Sequence, residues 1–246
     1  MKIKKRENKI RKILNIFGVV FLIFMFITTV YIFTRAIKSY FPAKQVVFTG
    51  NKHLTDDELK TLTGIDGNES LITISHREVS QRLIKSPWIK SVRIRKEFPE
   101  TLSILVEETV PFALLDMNGH LFLIDENGRF LEELKSDQIP FLPIIIGDPF
   151  KEREGFSDAL HLAKAMNDMN FSSLRENIEI IISEPKELTA TIDGTVVKVG
   201  AGDFVEKMKR LIELEDEIKR RDIPVDYIDV RFANRVVVKP IKEVVR

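Results

Sequence analysis

Cysteine is absent from all 246 residues. That excludes disulfides, thiol catalysis and cysteine-ligated zinc. The chain must hold its folded parts together with apolar cores alone. Histidine is scarce. His53, His76, His120 and His161 stand far apart, and none belongs to a metal-type pair such as H-E-x-x-H. There is no G-x-S-x-G, no phosphate loop and no dinucleotide fingerprint. Glu107 and Glu108 are neighbours on a predicted strand, so their side chains point to opposite faces and make a poor acid–base pair. Asp116-x-Asn118-Gly119 and Asp125-x-Asn127-Gly128 place glycine two positions too early for a calcium loop and lack its closing glutamate. They read as hairpin turns. Gly200-Ala201-Gly202 precedes a helix and reads as a helix entry rather than an anion site. The sequence predicts no catalytic residue, no metal and no cofactor.

Charge is missing from one long stretch. Between Lys12 and Arg35 no residue is formally charged, and Ile13 to Thr34 reads ILNIFGVVFLIFMFITTVYIFT. As a helix it would be about 33 Å long, enough for a bilayer core of about 30 Å. A helix buried in a soluble domain rarely runs apolar on every face for this length. Residues 1–12 hold seven basic residues against Glu7, a charge of +6. The basic excess predicts a cytoplasmic N-terminus. A cleavable signal would have a shorter apolar core followed by small residues. Here the run leads into Arg35-Ala36-Ile37-Lys38, so an uncleaved anchor is expected. Tyr31, Tyr40 and Phe41 suit the far headgroup level. The whole chain carries +1, which leaves −5 beyond the tail. That mildly acidic remainder gives no support to nucleic-acid binding.

After the apolar run, period-2 and period-3.6 patterns alternate. Gln45–Phe48 reads as a strand, broken by Gly50-Asn51. Thr55 with Glu58 forms a capping box for a short helix that stops before Gly64. His76–Lys85 is a second amphipathic helix, closed by Ser86-Pro87. Trp88–Lys96 and Thr101–Val106 alternate as half-buried strands on either side of Glu97-Phe98-Pro99-Glu100. Strand, helix, helix, strand, strand predicts a three-stranded sheet with both helices on one face.

Leu114–Met117, Leu121–Ile124 and Arg129–Leu131 are separated by Asn118-Gly119 and Asn127-Gly128, a three-stranded meander. Pro140, Pro143 and Gly147 mark a loop around Ile144–Ile146. Ala159–Met169 has helical spacing. Strands follow at Ile178–Ile182, Leu188–Ile192 and Val196–Val199, with Asp193-Gly194 as the last turn. Phe204–Arg221 is a long helix, and Tyr227–Arg231 and Arg235–Lys239 finish as strands.

The ordered set carries a resemblance. Val47-Phe48-Thr49-Gly50-Asn51, Leu54-Thr55, Pro87-Trp88-Ile89, Val92-x-Ile94-x-Lys96-x-x-Pro99-x-Thr101-Leu102-x-Ile104 and Glu107–Ala113 resemble a POTRA domain of the FtsQ/DivIB bacterial division family. One position departs: Thr109 stands where arginine is common. Leu123-Ile124-Asp125-x-x-Gly128, Val199-Gly200 before Lys207 and Leu211, and Ile228-Asp229-Val230-Arg231-Phe232-x-Asn234-x-Val236-x-Val238 resemble that family's second domain.

The resemblance implies an α+β protein: a cytoplasmic tail at 1–12, a single transmembrane helix at 13–34, a linker at 35–42, a POTRA-like β-α-α-β-β domain at 43–112, a mainly antiparallel β domain with flanking helices at 113–240, and a tail at 241–246. It further implies a single-pass type II protein of the cell inner (plasma) membrane. The N-terminus would be cytoplasmic and the C-terminal domains periplasmic or otherwise extracytoplasmic, at the division septum. Its role would be a non-catalytic scaffold that recruits FtsB/DivIC and FtsL, among other divisome proteins, to septal peptidoglycan synthesis. The alternative is a POTRA-bearing component of secretion or outer-membrane assembly, which would usually repeat the domain or end in a barrel.

The implied partner-binding residues are Phe232, Asn234, Arg235, Val236, Val237 and Val238. The valines also suit an exposed sheet edge on their own account. Arg235 and Pro240 depart from residue types familiar in enterobacterial members. Asp229 and Arg231 read equally well as an ion pair.

Overall fold

The computed structural model describes residues 17–33, 40–67, 69–135, 140–182, 187–221, 224–233 and 235–241. Helix α1 covers 17–33 with every residue exposed. Its hydroxyls turn back on its own backbone: Thr28 donates to the Phe24 carbonyl at 2.5 Å and Thr29 to the Met25 carbonyl at 2.8 Å. Among the described residues no helix is long and apolar enough to cross a membrane. The outer parts of the expected span, 13–16 and Thr34, lie outside the described residues, as does the basic tail.

The chain divides between Glu108 and Thr109 into two units. In the first, β1 (Gln45–Thr49), α2 (Asp56–Thr63), α3 (His76–Leu83), β2 (Ile89–Glu97) and β3 (Thr101–Glu108) form a three-stranded sheet in the order β1-β3-β2. Strand β1 runs parallel to β3, and β2 antiparallel. The capping box is formed: the Glu58 amide donates to Thr55 Oγ1 at 3.3 Å, and the Thr55 amide donates to Glu58 Oε2 at 2.8 Å. Ser75 caps α3 by accepting from the Glu78 amide at 3.4 Å. Arg82 of α3 donates to the Thr63 carbonyl at 2.7 Å and so closes the end of α2. Leu59, Leu71, Leu83, Ile89, Leu102 and Ile104 are fully buried between helices and sheet.

Gly50 follows β1 with φ 87°, and a Cβ there would lie 2.3 Å from the Val106 carbonyl oxygen. Only glycine fits that approach. The turn delivers the next three amides to Glu108, whose carboxylate accepts from Lys52 (3.0 Å), His53 (2.8 Å) and Leu54 (2.9 Å). Burial pushes the Glu108 carboxyl up, but the three backbone donors outweigh it and hold it below the ordinary glutamate range. His53 stacks on buried Trp88 with ring centroids 3.7 Å apart.

The second unit is one nine-stranded sheet in the order β12-β11-β10-β9-β8-β7-β4-β5-β6. Its strands are β4 (Ala113–Met117), β5 (His120–Ile124), β6 (Phe130–Glu133), β7 (Ile144–Ile146), β8 (Ile178–Ile181), β9 (Thr189–Ile192), β10 (Thr195–Lys198), β11 (Val225–Asp229) and β12 (Val237–Pro240). Asn118-Gly119 and Asp193-Gly194 have positive φ at both central residues, as the tightest hairpins require. The side chains of Asp116 and Asp125 are used inside their turns. Asp116 accepts from the Gly119 amide, and Asp125 from the amides of Asn127 and Arg129. Among the described residues no cluster of acidic or histidine side chains is placed to hold a metal ion.

One expectation needs correction. Ile144–Ile146 is not a loop but central strand β7, with Ile145 fully buried. The sheet is mainly antiparallel, as expected, and its parallel pairs are β4–β7, β7–β8 and β10–β11. Helix α4 (Arg153–Asp168) carries the chain from β7 to β8 and α5 (Phe204–Arg221) from β10 to β11, the crossovers those two parallel pairs need, while β4 reaches β7 through β5 and β6. Helix α4 begins six residues before the expected Ala159. The helices pack on one another and share one core with the strands, including Leu162, Met166, Met208 and Leu211. At the Gly200–Gly202 turn, Lys207 reaches back and donates to the carbonyls of Val199 (2.9 Å) and Ala201 (2.7 Å). Burial lowers its pKa. The turn thus faces a cation of its own chain.

Replacing Glu108 by glutamine removes the charge and one acceptor from a three-donor nest, and should cost roughly 1–2 kcal/mol at neutral pH. Because the folded carboxyl titrates low, this contribution is complete above the ordinary glutamate value of about 4.3 and fades as pH falls through the lowered one. Urea unfolding followed by Trp88 fluorescence checks it: the gap between wild type and Glu108→Gln should be full at pH 7 and close in acid.

Candidate functional site

A sheet that does not close has two edges, and the second unit's are β6 and β12. Strand β6 is blunted by Glu132 and Glu133, the latter bonded to His120 at 2.8 Å. Charge on an edge discourages pairing with another chain. Strand β12 instead begins Val237-Val238, with Val236 just before it.

Hydrogen bonds fix which groups of β12 face outward. Tyr227, Ile228 and Asp229 of β11 lie opposite Lys239, Val238 and Val237. The Ile241 amide donates inward to the Pro224 carbonyl at 2.9 Å. On the far side of β11, the Val230 amide donates to the Lys198 carbonyl at 3.0 Å, in the parallel register with β10. Backbone direction alternates along a strand. Both bonds therefore give the same answer: Val237 and Lys239 bond into the sheet, and Val238 turns its N–H and C=O outward. Pro240 shares the outward phase, where its missing N–H costs no sheet bond.

The approach to this edge is held by ionic contacts. Arg231 donates to both carboxylate oxygens of the buried Asp229, at 2.7–3.1 Å. That contact, against the opposing effect of burial, keeps Asp229 below its ordinary range. Of the two readings the sequence left open for Asp229 and Arg231, the ion pair is formed. A cleft of about 150 Å3 lies beside it, lined by Glu187, Leu188, Thr189, Lys198 and Arg231. Lys239 pairs with Asp226 at 2.6 Å, and the Lys198 ammonium lies 4.3 Å from the Tyr227 ring centre.

The structure brings most of the predicted residues together. The Arg235 guanidinium lies over the Phe232 ring at 4.6 Å, and Phe232 is exposed. Val236 packs against the core, and Val237 is partly open. Asn234 lies outside the described residues. Sequence reasoning missed Arg210 of α5, which donates to the carbonyls of Phe232 (2.5 Å) and Ala233 (2.8 Å) and ties the loop before β12 to the helix. An arginine among many on a charged helix gives no sequence signal for that role. Replacing Arg210 by methionine should loosen the loop by roughly 1 kcal/mol. Hydrogen exchange should then speed up at the inward-bonded Val237 amide while β8 and β9 stay unchanged.

Comparison with known proteins follows the division of the chain. Residues 41–109 match the family model for the POTRA domain, FtsQ-type. Residues 113–231 match that for the cell division protein FtsQ/DivIB, C-terminal. Similar proteins include the cell division protein FtsQ of Geobacter sp. (strain M21), 32% identical over 77% of this chain and 73% of its own. The FtsQ of Geotalea daltonii is 26% identical over 82% and 77%, and the cell division protein DivIB of Bacillus cytotoxicus 28% over 70% and 73%. A POTRA-type unit followed by a matching C-terminal unit, with such a relative spanning both, places this chain in the FtsQ/DivIB family of cell division proteins.

Proposed function

We propose that this protein is a membrane-anchored scaffold of the bacterial divisome, acting by binding rather than catalysis. Residues 13–34 span the inner (plasma) membrane with the N-terminus in the cytoplasm. The two folded units stand on the extracytoplasmic side, at the septum. The second unit recruits the small division proteins FtsB/DivIC and FtsL and so links septal peptidoglycan synthesis to assembly. The observation that carries this reading is the outer side of β12. It offers unshared backbone groups at Val238, flanked by β-branched side chains and by exposed Phe232. Strand addition uses such an edge. Phe232, Asn234, Arg235, Val236, Val237 and Val238 form the contact set. The uncharged, uniformly exposed helix α1 supports the anchor.

Proline scanning tests the edge, because each position loses a different bond. The full chain in lipid nanodiscs is titrated with the FtsB/DivIC-type partner. Val238→Pro should weaken binding at least about tenfold, the equivalent of about 1.4 kcal/mol, with circular dichroism unchanged. Val237→Pro breaks an inward bond and should disturb the sheet itself. Val238→Ala keeps the amide and should bind within a few-fold of wild type. Unchanged binding by folded Val238→Pro would move the interface off this edge.

A further inference from the structure

The first unit has a chemically distinct end. Strands β1 and β3 both begin there, β2 finishes there, and the chain from α1 enters there. Phe41 is fastened to this end: its carbonyl accepts from the Leu71 amide at 2.7 Å, and Pro42 bridges Ser70. The Phe41 ring meets Phe98, at the β2–β3 turn, edge-on with centroids 5.2 Å apart. At this end Phe98 itself remains open to solvent at 58% exposure, as do Tyr40, next to Phe41, at 76% and Ile72, next to Leu71, at 45%. At the opposite end β1 runs into Lys52 and His53, and β3 stops at Glu108. Among the described residues that end exposes no phenylalanine, tyrosine or tryptophan, since Trp88 is buried under His53.

Single exposed apolar residues are ordinary; a group of them at one end of a unit marks a contact surface. The connection says what the contact is. Seven peptide steps separate Phe33, the last described residue of α1, from Tyr40, so the end of the apolar helix lies within about 25 Å of this tip. Tyrosine and phenylalanine with one apolar and one wet side suit the headgroup level of a bilayer.

We propose that Tyr40, Ile72 and Phe98 insert into the lipid interface, so that the first unit stands on the membrane with its β2–β3 turn down and its Glu108 end pointing away. The inference rests on the reading that 13–34 spans the bilayer. Its consequence is positional. The second unit is reached only through Glu108, so seating the tip holds the point of departure for the partner-binding sheet at a set height above the membrane.

The absence of cysteine makes the test direct, because one introduced cysteine is the only label site. Full-length chains carrying Tyr40→Cys, Ile72→Cys, Phe98→Cys, Lys52→Cys or Val20→Cys are spin-labelled in nanodiscs of phosphatidylethanolamine and phosphatidylglycerol, 3:1. Accessibility to oxygen and to a nickel chelate gives depth. Each tip variant keeps two of the three apolar groups. Labels at 40, 72 and 98 should show oxygen-to-nickel ratios roughly threefold above that at 52, matching a depth of about 5–10 Å into the headgroup–acyl boundary. The label at 20 should lie deepest. A deep label at 20 with 40, 72 and 98 as water-exposed as 52 would overturn the seating while leaving the span intact. A water-exposed label at 20 would overturn the span and the seating together.

Discussion

The inward and outward alternation of β12 governs what the second unit presents. One hydrogen bond, from the Ile241 amide to the Pro224 carbonyl, sets the phase. The bond from Val230 to Lys198 on the other side of β11 agrees with it. From that phase, Val237 and Lys239 secure the strand and Val238 is left unshared. A one-residue slip would exchange these roles and turn the apolar faces over as well. The Asp229–Arg231 ion pair and the hydrogen bonds from Arg210 to the Phe232 and Ala233 carbonyls fix the chain just before the strand and so guard the register. A buried or half-buried ion pair is a weak source of net stability, because the desolvation of its charges offsets their attraction.

The first unit works on the same logic with different parts. Its strand ends are tied by Gly50, by the Glu108 nest and by the Phe41–Phe98 contact. Of these only Phe41 packs against the core, where Leu59, Leu83, Leu102 and Ile104 supply the apolar burial. Burial holds the unit together at roughly 1.5–3 kcal/mol per large side chain. The ends decide how it is joined to what precedes and follows.

Much of this was legible in the sequence, where the signal was local. The Thr55–Glu58 box, the Asn118-Gly119 and Asp193-Gly194 turns and the alternation through Leu102, Ile104 and Val106 are short-range patterns with a physical cause, and each is formed. Strand β7 was not legible, because three isoleucines between Pro143 and Gly147 look like a loop until parallel neighbours bury them. Nor were the β7–β8 and β10–β11 parallel pairings, which depend on where α4 and α5 carry the chain. Helix α4 begins early without a capping side chain at Glu152, so nothing in its first turn announces it. The valines of the candidate site were legible as strand, but their inward or outward phase was not, since it is set by partners on other strands. Arg210 and Phe98 act through contacts distant in sequence and carry no local mark.

Residue-resolved amide exchange of β12 by NMR, with and without saturating FtsB/DivIC-type partner, tests the central claim most directly. In the free chain Val237 and Lys239 should be protected and Val238 should exchange fast. Adding the partner should slow Val238 by orders of magnitude while Val237 and Lys239 change little. A Val238 amide that exchanges equally fast in the saturated complex would contradict strand addition at this edge.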